Sequence, residues 1–283
     1  SASEFRYRNF HVDDRTLVVS IAQSGQTADT LAAMAAVRDK GGRLVTIGNV
    51  EGSQSTRLAE GTLYMRAGAE IGVASTKTFI SSLTILTLLA LQLGQVRGTI
   101  DRERSEEIVG DLARLPRLMG DILADHQRYE RLARKFHRHE DFLYLGRGMT
   151  FPIAMEGALK LKEISYIHAE GYSAGEMKHG PIALIDTNTP VVAIAPDGSM
   201  YSKMANNIKE AKARDGVVIA VATEGNMELA DQVDEVLYIP PCSEYLTPIL
   251  SVLPLQLLAY YIAVRRGCDV DQPRNLAKSV TVE

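Results

Sequence analysis

The sequence has little cysteine and no excess of positive charge. Its two cysteines, Cys242 and Cys268, stand far apart, with no second Cys or His at metal-ligand spacing, which argues against a disulfide framework and a zinc site. The 31 Lys and Arg are outnumbered by 35 Asp and Glu, giving a formal net charge of −4. This balance provides no basic field for displacing counterions from nucleic acid. We therefore expect a protein of the reducing cytoplasm that does not bind nucleic acid.

Long hydrophobic runs are also missing. Residues 1–8 include Glu4, Arg6 and Arg8, where a secretory signal needs an apolar core. Two apolar stretches, residues 79–93 and 249–264, fall short of the ~20 apolar residues that a membrane-spanning helix needs. The sequence predicts that both are buried core helices and that the chain has no membrane partner.

What the sequence does contain is a repeat. Each copy alternates short, continuously apolar runs with amphipathic stretches and ends in one of the two apolar helices. Such runs are typical of strands buried on both faces, and their alternation with helices predicts parallel sheets with right-handed crossovers. The predicted strands lie at residues 17–21, 44–47 and 62–65 in the first copy and at 190–194, 217–221 and 236–239 in the second. We expect an α/β fold class with two doubly wound parallel-sheet domains in tandem.

The two copies differ at their start. The second opens with an additional strand, loop and helix, so that 49 residues run from Phe142 to Pro190, whereas 16 residues precede Leu17. We therefore expect the first domain to lack its opening strand–loop–helix and the chain to be a fragment of a longer protein. The predicted divisions are a first domain at residues 1–99, linking helices and a second domain at 100–267, and a C-terminal tail at 268–283.

One glycine-rich turn does not indicate a nucleotide site. Gly146 and Gly148 follow a predicted strand, but the third glycine of the dinucleotide fingerprint would fall where Phe151 stands. Thr150 as an N-cap residue and Pro152 in the first helical turn explain the pattern as ordinary helix initiation.

A second turn is a candidate anion site. Residues 23–27, with the sequence QSGQT, join a buried strand to a helix, where free N–H groups and the positive end of the helix dipole attract anions. No P-loop lysine follows, so a sugar phosphate fits better than a nucleotide. Local pattern leaves an equal alternative, in which Ser24 or Thr27 caps the helix.

A charged stripe lies on the helix predicted at residues 152–167. Glu156, Lys160 and Glu163 are spaced by four and three residues and share one face. A solvated row of ion pairs is the ordinary explanation for such a stripe. The glycine-punctuated connection at residues 166–181 is crowded with titratable groups and favours a functional explanation. His168 in this connection has no role that local pattern can assign.

The motifs together resemble a known family. The segments that carry the resemblance are residues 23–30, 70–77, 157–166, 178–181 and 271–283. They closely resemble the isomerase half of the glutamine–fructose-6-phosphate aminotransferases, or glucosamine-6-phosphate synthases, along essentially the whole chain. The tail is the most specific segment, because sugar-isomerase (SIS) domains with other uses generally lack it.

The resemblance implies two SIS domains and a reaction of fructose 6-phosphate with ammonia to give glucosamine 6-phosphate. In this family the ammonia comes from glutamine, hydrolysed in an N-terminal glutaminase domain. A homodimer is implied, and no metal or organic cofactor is required.

Individual roles are implied as well. The substrate contacts are the phosphate ligands Gln23, Ser24 and Thr27 and the sugar contacts Val73, Ser75 and Ala277. The catalytic group comprises Glu163 as the base between C1 and C2, Lys160 as its neighbour, His179 for ring opening in the partner's site, and Lys278 as the Schiff-base lysine.

The sequence departs from the family pattern in two ways. Ala22 stands where the family usually has a serine, and the family's first strand with its Gly-Thr-Ser phosphate loop is absent, as is the glutaminase domain. We expect this chain alone to bind fructose 6-phosphate weakly and to be unable to use glutamine. Two alternatives stay open: a non-catalytic sugar-phosphate-binding SIS protein, such as a regulator, and a deaminating or deglycating isomerase.

Overall fold

The computed structural model describes residues 1–281 of the chain. Val282 and Glu283, the last residues of the terminal motif, lie outside this range. The described chain divides into two compact units, which we call unit 1 (residues 1–92 and 275–281) and unit 2 (residues 93–274). Each unit contains one parallel sheet.

Unit 1 is built on a three-stranded parallel sheet with strand order β1-β2-β3. Its strands and helices are α1 (Ala2–Phe5), β1 (Leu17–Ala22), α2 (Ala28–Asp39), β2 (Arg43–Gly48), α3 (Gln54–Leu58), β3 (Gly61–Tyr64) and α4 (Lys77–Val96), which continues past residue 92. A small core forms where Met34 and Val37 of α2 pack with Leu44 of β2. The free edge of β1 leaves Leu17 and Ile21 about half exposed.

Unit 2 has a five-stranded parallel sheet with strand order β5-β4-β6-β7-β8. Its strands are β4 (Asp141–Gly146), β5 (His168–Ser173), β6 (Val191–Ala195), β7 (Val218–Thr223) and β8 (Glu235–Ile239). Its helices are α5 (Arg102–Ala124), α6 (His126–Phe136), α7 (Phe151–Ser165), α8 (Tyr201–Lys212), α9 (Met227–Ala230) and α10 (Thr247–Arg265). Every residue of β6 and β7 is buried, as continuously apolar central strands require.

The predicted repeat is confirmed. The segment β1–α2–β2–α3–β3–α4 corresponds to β6–α8–β7–α9–β8–α10, and both series are parallel and in the same order. The strand–loop–helix β4–α7 opens unit 2 and has no counterpart among the described residues of unit 1. The predicted fold class, two tandem parallel-sheet domains of which the first lacks this opening segment, is therefore correct.

One stretch predicted as a connecting loop contains a strand. Residues 168–173 form β5, which pairs in parallel with β4 from Asp141↔His168 to Gly146↔Ser173. The strand was missed because Glu170 and Gly171 interrupt any apolar pattern. An edge strand covered on one side needs no such pattern, since backbone pairing with its single neighbour holds it.

Two helical segments are long and apolar enough to cross a membrane by length and composition. The segment Glu244–Arg265, which includes α10, has a mean hydropathy of 1.6 and 67% of its apolar window is buried. It packs against α7 and α6 as a core helix, as predicted. The core helix of a soluble protein passes the same test, so these two segments are weak evidence for a membrane.

The prediction for the other apolar helix, α4, must be corrected. In α4, with a mean hydropathy of 1.7, 17% of the window is buried, so the prediction of a buried helix at residues 79–93 is wrong for this chain. The internal repeat supplies the physical reason. Its counterpart α10 packs against α7, the helix of the opening segment that unit 1 lacks among the described residues.

Candidate functional site

The predicted anion loop lies at the carboxyl end of β1. Residues 23–27 connect β1 to α2, at the edge of a parallel sheet where ligands bind in doubly wound folds. Gly25 has a φ of +66°, and a Cβ there would lie 2.3 Å from the Ser53 hydroxyl oxygen. The loop therefore requires glycine at its centre.

The hydroxyls of this loop do not cap the helix. Thr27 occupies the N-cap position without a side-chain capping bond, and Ser24 Oγ accepts a bond from the Gln26 amide at 3.3 Å. The alternative in which Ser24 or Thr27 caps α2 is therefore wrong. The role of Gln23, Ser24 and Thr27 as phosphate ligands stays a prediction.

The C-terminal tail folds onto unit 1 rather than fraying. The Val280 carbonyl accepts a hydrogen bond from the Ala28 amide at 3.2 Å, at the first residue of α2. Ala277 is exposed in this tail and Lys278 is partly buried. The tail thus reaches the N-terminal end of α2, the helix that follows the anion loop.

Lys278 has two partners in unit 1. Its Nζ donates to Glu70 Oε2 at 2.7 Å and to the Gly72 carbonyl at 2.8 Å. Gly72 directly precedes Val73, one of the predicted sugar contacts. The other, Ser75, exchanges a hydroxyl hydrogen bond with Thr78 at 2.7 Å. The structure therefore brings Lys278 to the loop that carries Val73 and Ser75.

Glu70 organises the same loop from within. Oε1 accepts from the Thr76 amide at 2.9 Å and the Thr78 amide at 3.3 Å, and Oε2 accepts from the Thr78 hydroxyl at 2.6 Å. Burial opposes the charged form of this carboxyl, but the hydrogen bonds from Lys278 and the two threonines outweigh it and lower the pKa of Glu70 to about 2. Glu70 is a carboxylate at neutral pH.

In unit 2 the charged stripe of α7 is buried. Lys160 is 3% exposed, and its Nζ lies 2.6 Å from Glu163 Oε2 and 3.3 Å from Glu156 Oε1. Neither oxygen has a hydrogen-bond partner among the described residues apart from this ammonium group. The ordinary explanation, a solvated row of ion pairs, is wrong.

The two carboxyls of this cluster are not equivalent. The Glu163 side chain is 22% exposed and that of Glu156 is 11% exposed. Burial raises the pKa of Glu156 above its usual range, against the opposing effect of Lys160. A cluster with two acids and one ammonium can hold and exchange a proton at one carboxyl, which is the requirement for general acid–base catalysis.

The two histidines differ in placement. His179 ends a short 3₁₀ helix, Ala174–His179, where it is exposed and has no contact with Lys160 or Glu163 among the described contacts. His168 Nδ1 lies 2.7 Å from Asp141 Oδ1, and these are the first residues of β5 and β4. His168 therefore lies at the amino end of the sheet, opposite to the carboxyl ends of the strands.

The position in unit 2 that corresponds to the predicted anion loop is residues 196–200, between β6 and α8. There Glu244 Oε1 accepts bonds from the Ser199 amide, at 3.0 Å, and from the Ser199 hydroxyl. The cavity beside this loop, lined by Arg147, Asp197 and Glu244, has a volume of about 30 Å³. It has room for one or two waters and not for a sugar phosphate.

Two residues with clear geometry were not among the predicted site residues. Glu156 lies on the predicted stripe, and its spacing of four residues from Lys160 was a usable signal. Glu70 is the only acidic residue between Gly61 and Ile100, and an isolated acid just before an apolar helix was the signal there. In the described part of the chain, no cluster of three or more His, Cys, Asp or Glu could hold a metal ion.

Comparison with known proteins identifies the family. The SIS domain family matches residues 1–92 and 135–266. A glutamine–fructose-6-phosphate aminotransferase of Thermus thermophilus is 53% identical over 282 residues, covering 100% of this chain and 47% of the relative. The chain thus spans about half the length of the curated relatives it matches.

Solved structures agree. The C-terminal domain of the glucosamine-fructose-6-phosphate aminotransferase from Francisella tularensis has a TM-score of 0.91 at 38% identity, covering 96% of this chain and 77% of that one. A glucosamine-6-phosphate deaminase from Thermotoga maritima has a TM-score of 0.76 at 25% identity, with coverages of 99% and 80%. The chain belongs to the SIS domain family and, within it, to the C-terminal isomerase half of the glutamine–fructose-6-phosphate aminotransferases.

Proposed function

We propose that the chain is the isomerase half of an enzyme that converts fructose 6-phosphate and ammonia to glucosamine 6-phosphate and water. The observation that carries the proposal is the presence of two kinds of reactive group: the buried Lys160–Glu163 pair and a folded tail that presents Lys278. A protein that merely binds a sugar phosphate needs neither a proton-transfer pair nor an amine nucleophile. The 53% identity to a named aminotransferase supports the same reaction.

The phosphate is assigned to the loop at residues 23–27. Gln23, Ser24 and Thr27 offer an amide and two hydroxyls that are not used for helix capping. Their position before α2 adds the positive end of the helix dipole. Val73, Ser75 and Ala277 are assigned to the sugar, since they lie in the loop and tail that Lys278 joins.

Lys278 is assigned to the covalent step. Its nitrogen forms a bond to the carbonyl carbon of the open-chain ketose and the carbonyl oxygen leaves as water. Starting from the ammonium form, the products are an iminium ion and one water, so atoms and charge balance. Ammonia then replaces the lysine nitrogen at this carbon, which returns the amine.

Proton transfer is assigned to α7. Glu163 takes a proton from C1 and returns it to C2, and Lys160 holds the Glu163 carboxylate in place through its 2.6 Å contact. His179 is assigned to ring opening, for which its exposed position in a short 3₁₀ helix leaves it accessible.

The assembly follows from the same proposal. We infer a cytoplasmic homodimer in which His179 serves the partner subunit, and a longer protein whose glutaminase domain supplies ammonia. The proposed functional division is residues 1–99 for the phosphate, 100–267 for proton transfer and 268–283 for the amine. Nitrogen supply from glutamine would then require the additional domain.

A second candidate is the reverse use of the same groups. The likeness to a glucosamine-6-phosphate deaminase at 25% identity favours a deaminating isomerase. The same iminium chemistry would then run from amino sugar to ketose and release ammonia. The identity to the aminotransferase is about twice as high, so synthesis is the function proposed.

The test is glucosamine 6-phosphate formation from fructose 6-phosphate and an ammonium salt. It is measured for this chain and for the chain joined behind the preceding region of the Thermus relative. The proposal expects product from the joined protein, with loss of product in Lys278→Ala and retention in Lys203→Ala, the same change at an exposed lysine. Ammonia release from glucosamine 6-phosphate without measurable synthesis would favour the deaminase. If neither activity is measured, the alternative that remains is a non-catalytic sugar-phosphate-binding protein.

A further inference from the structure

The two carboxylate oxygens of Glu70 serve different parts of unit 1. Oε1 accepts bonds from the Thr76 and Thr78 amides at the start of α4. Oε2 accepts from the Thr78 hydroxyl and from Lys278 Nζ. One side chain therefore fixes the loop before α4 through one oxygen and the C-terminal tail through the other.

The contact with Lys278 is an ion pair in a sheltered place. The Glu70 side chain is 4% exposed and that of Lys278 is 26% exposed. Glu70 is a carboxylate and cannot serve as a ready proton acceptor, because its hydrogen bonds already hold the charged form. Lys278 also donates to the Gly72 carbonyl, so two of its three N–H groups have acceptors.

This arrangement bears on the chemistry of an amine. A paired ammonium group has no free electron pair, whereas an amine that attacks a carbonyl must use one. In its resting position the Lys278 nitrogen therefore lies beside Gly72, in the loop that carries Val73 and Ser75, as a paired ammonium group.

We propose that Glu70 is a positioning residue that stores Lys278 as a paired ammonium group. On release the nitrogen gives its extra proton to solvent, and the neutral amine reacts. The reactive step rests on the proposed function, but the storage itself does not. Release breaks the contact with Oε2 and leaves the Oε1 contacts with the Thr76 and Thr78 amides in place. The loop that carries Val73 and Ser75 thus keeps its shape while the lysine moves.

The division between the oxygens supplies a selective variant. In Glu70→Gln, the amide oxygen can keep the Thr76 and Thr78 bonds, while the amide nitrogen meets the lysine as a donor instead of an acceptor. Glu70→Asp keeps the charge. Thr78→Val removes the other partner of Oε2 and leaves the Lys278 contact intact, which makes it a control for loosening of the loop.

The experiment is competitive labelling of the chain with trace acetic anhydride at about pH 8, followed by peptide mapping of the lysines. Lys77 is the internal control, because its Nζ donates to the Ala69 carbonyl at 2.7 Å and has no carboxylate partner among the described residues. In the unmodified chain we expect slower labelling at Lys278 than at Lys77. Loss of one charge-assisted hydrogen bond to the nitrogen is worth about tenfold in the population of released lysine.

Glu70→Gln should therefore accelerate labelling of Lys278 by about tenfold and leave Lys77 unchanged, whereas Glu70→Asp should keep Lys278 protected. Equal labelling of the two lysines in the unmodified chain would overturn the proposal without any variant. Equal acceleration in Thr78→Val would overturn it too, by showing that loop loosening alone exposes the lysine. No sugar is present, so failure of the enzymatic function cannot produce either result.

Discussion

Lys160 lies between two carboxyls of its own helix and is closer to Glu163, at 2.6 Å, than to Glu156, at 3.3 Å. The i,i+3 and i,i+4 spacing places the three side chains on one face, and burial of the lysine makes the contact obligatory. An unpaired charge at this position would be strongly destabilising. The cluster is therefore needed for stability and is also the candidate for proton transfer.

Glu163→Gln should keep fructose 6-phosphate binding and lose about 10²–10⁴ in isomerisation rate, because the amide cannot accept the proton from C1. The measurement is exchange of the C1 hydrogen with solvent deuterium, read by NMR on the joined protein. Glu228→Gln should exchange at the wild-type rate. Wild-type exchange in Glu163→Gln would remove this residue as the base.

Glu156→Gln should change the pH dependence of stability. Because burial raises the folded pKa of Glu156 above the ordinary value of 4.5, its stability contribution is full below about pH 4.5 and is lost as the pH rises through the raised value. The free energy of unfolding of the variant should therefore increase relative to that of the wild type as the pH rises from about 4 to about 8. Urea unfolding across this range measures the gap, and a gap that stays constant would contradict the assignment.

Reduction with borohydride in the presence of fructose 6-phosphate should trap a sugar adduct on Lys278 in the joined protein. An iminium ion is reducible, whereas a non-covalently bound ketose leaves no modified lysine. Peptide mapping by mass spectrometry locates the adduct, and Lys278→Arg is the matched control. An adduct on another lysine in place of Lys278 would refute the role.

Adding an opening strand–loop–helix to unit 1 should strengthen ligand binding. The β1 edge is free and α4 is largely exposed, and a loop at the end of an added strand would contribute to the phosphate site. Two or three charge-assisted hydrogen bonds at ~1.5–3 kcal/mol each amount to about two orders of magnitude in affinity or more. Calorimetric titration with fructose 6-phosphate compares this chain with the joined protein. Equal affinities would show that the segment adds nothing to the site.

Much of the fold was readable because central parallel strands leave a strong signal. The runs that became β6 and β7 are apolar at every position facing the core, and the repeat fixed their order. The strand β5 escaped because an edge position does not demand apolar residues at Glu170 and Gly171. The exposure of α4 could not be predicted, because the sequence of an apolar helix indicates that it tends to be buried but does not show whether another element packs against it.

The candidate site was readable to a different extent. Sequence spacing placed Lys160 and Glu163 on one face, but burial decided that they form a pair and not a solvated row. No spacing rule links Glu70 to Lys278, which are separated by 208 residues along the chain. That contact depends on where the tail returns, and it is a property of tertiary structure.

The hydrogen bonds between Glu244 and Ser199 distinguish the second copy of the repeat from the first. A carboxylate tethered to the same chain acts at a high effective concentration, so a dissolved phosphate competes at a disadvantage for the Ser199 groups. In unit 2 a carboxylate of the chain itself therefore holds the loop at residues 196–200. The loop at residues 23–27 differs, because its described hydrogen bonds come from Ser24 and from the backbone and none comes from an acidic side chain.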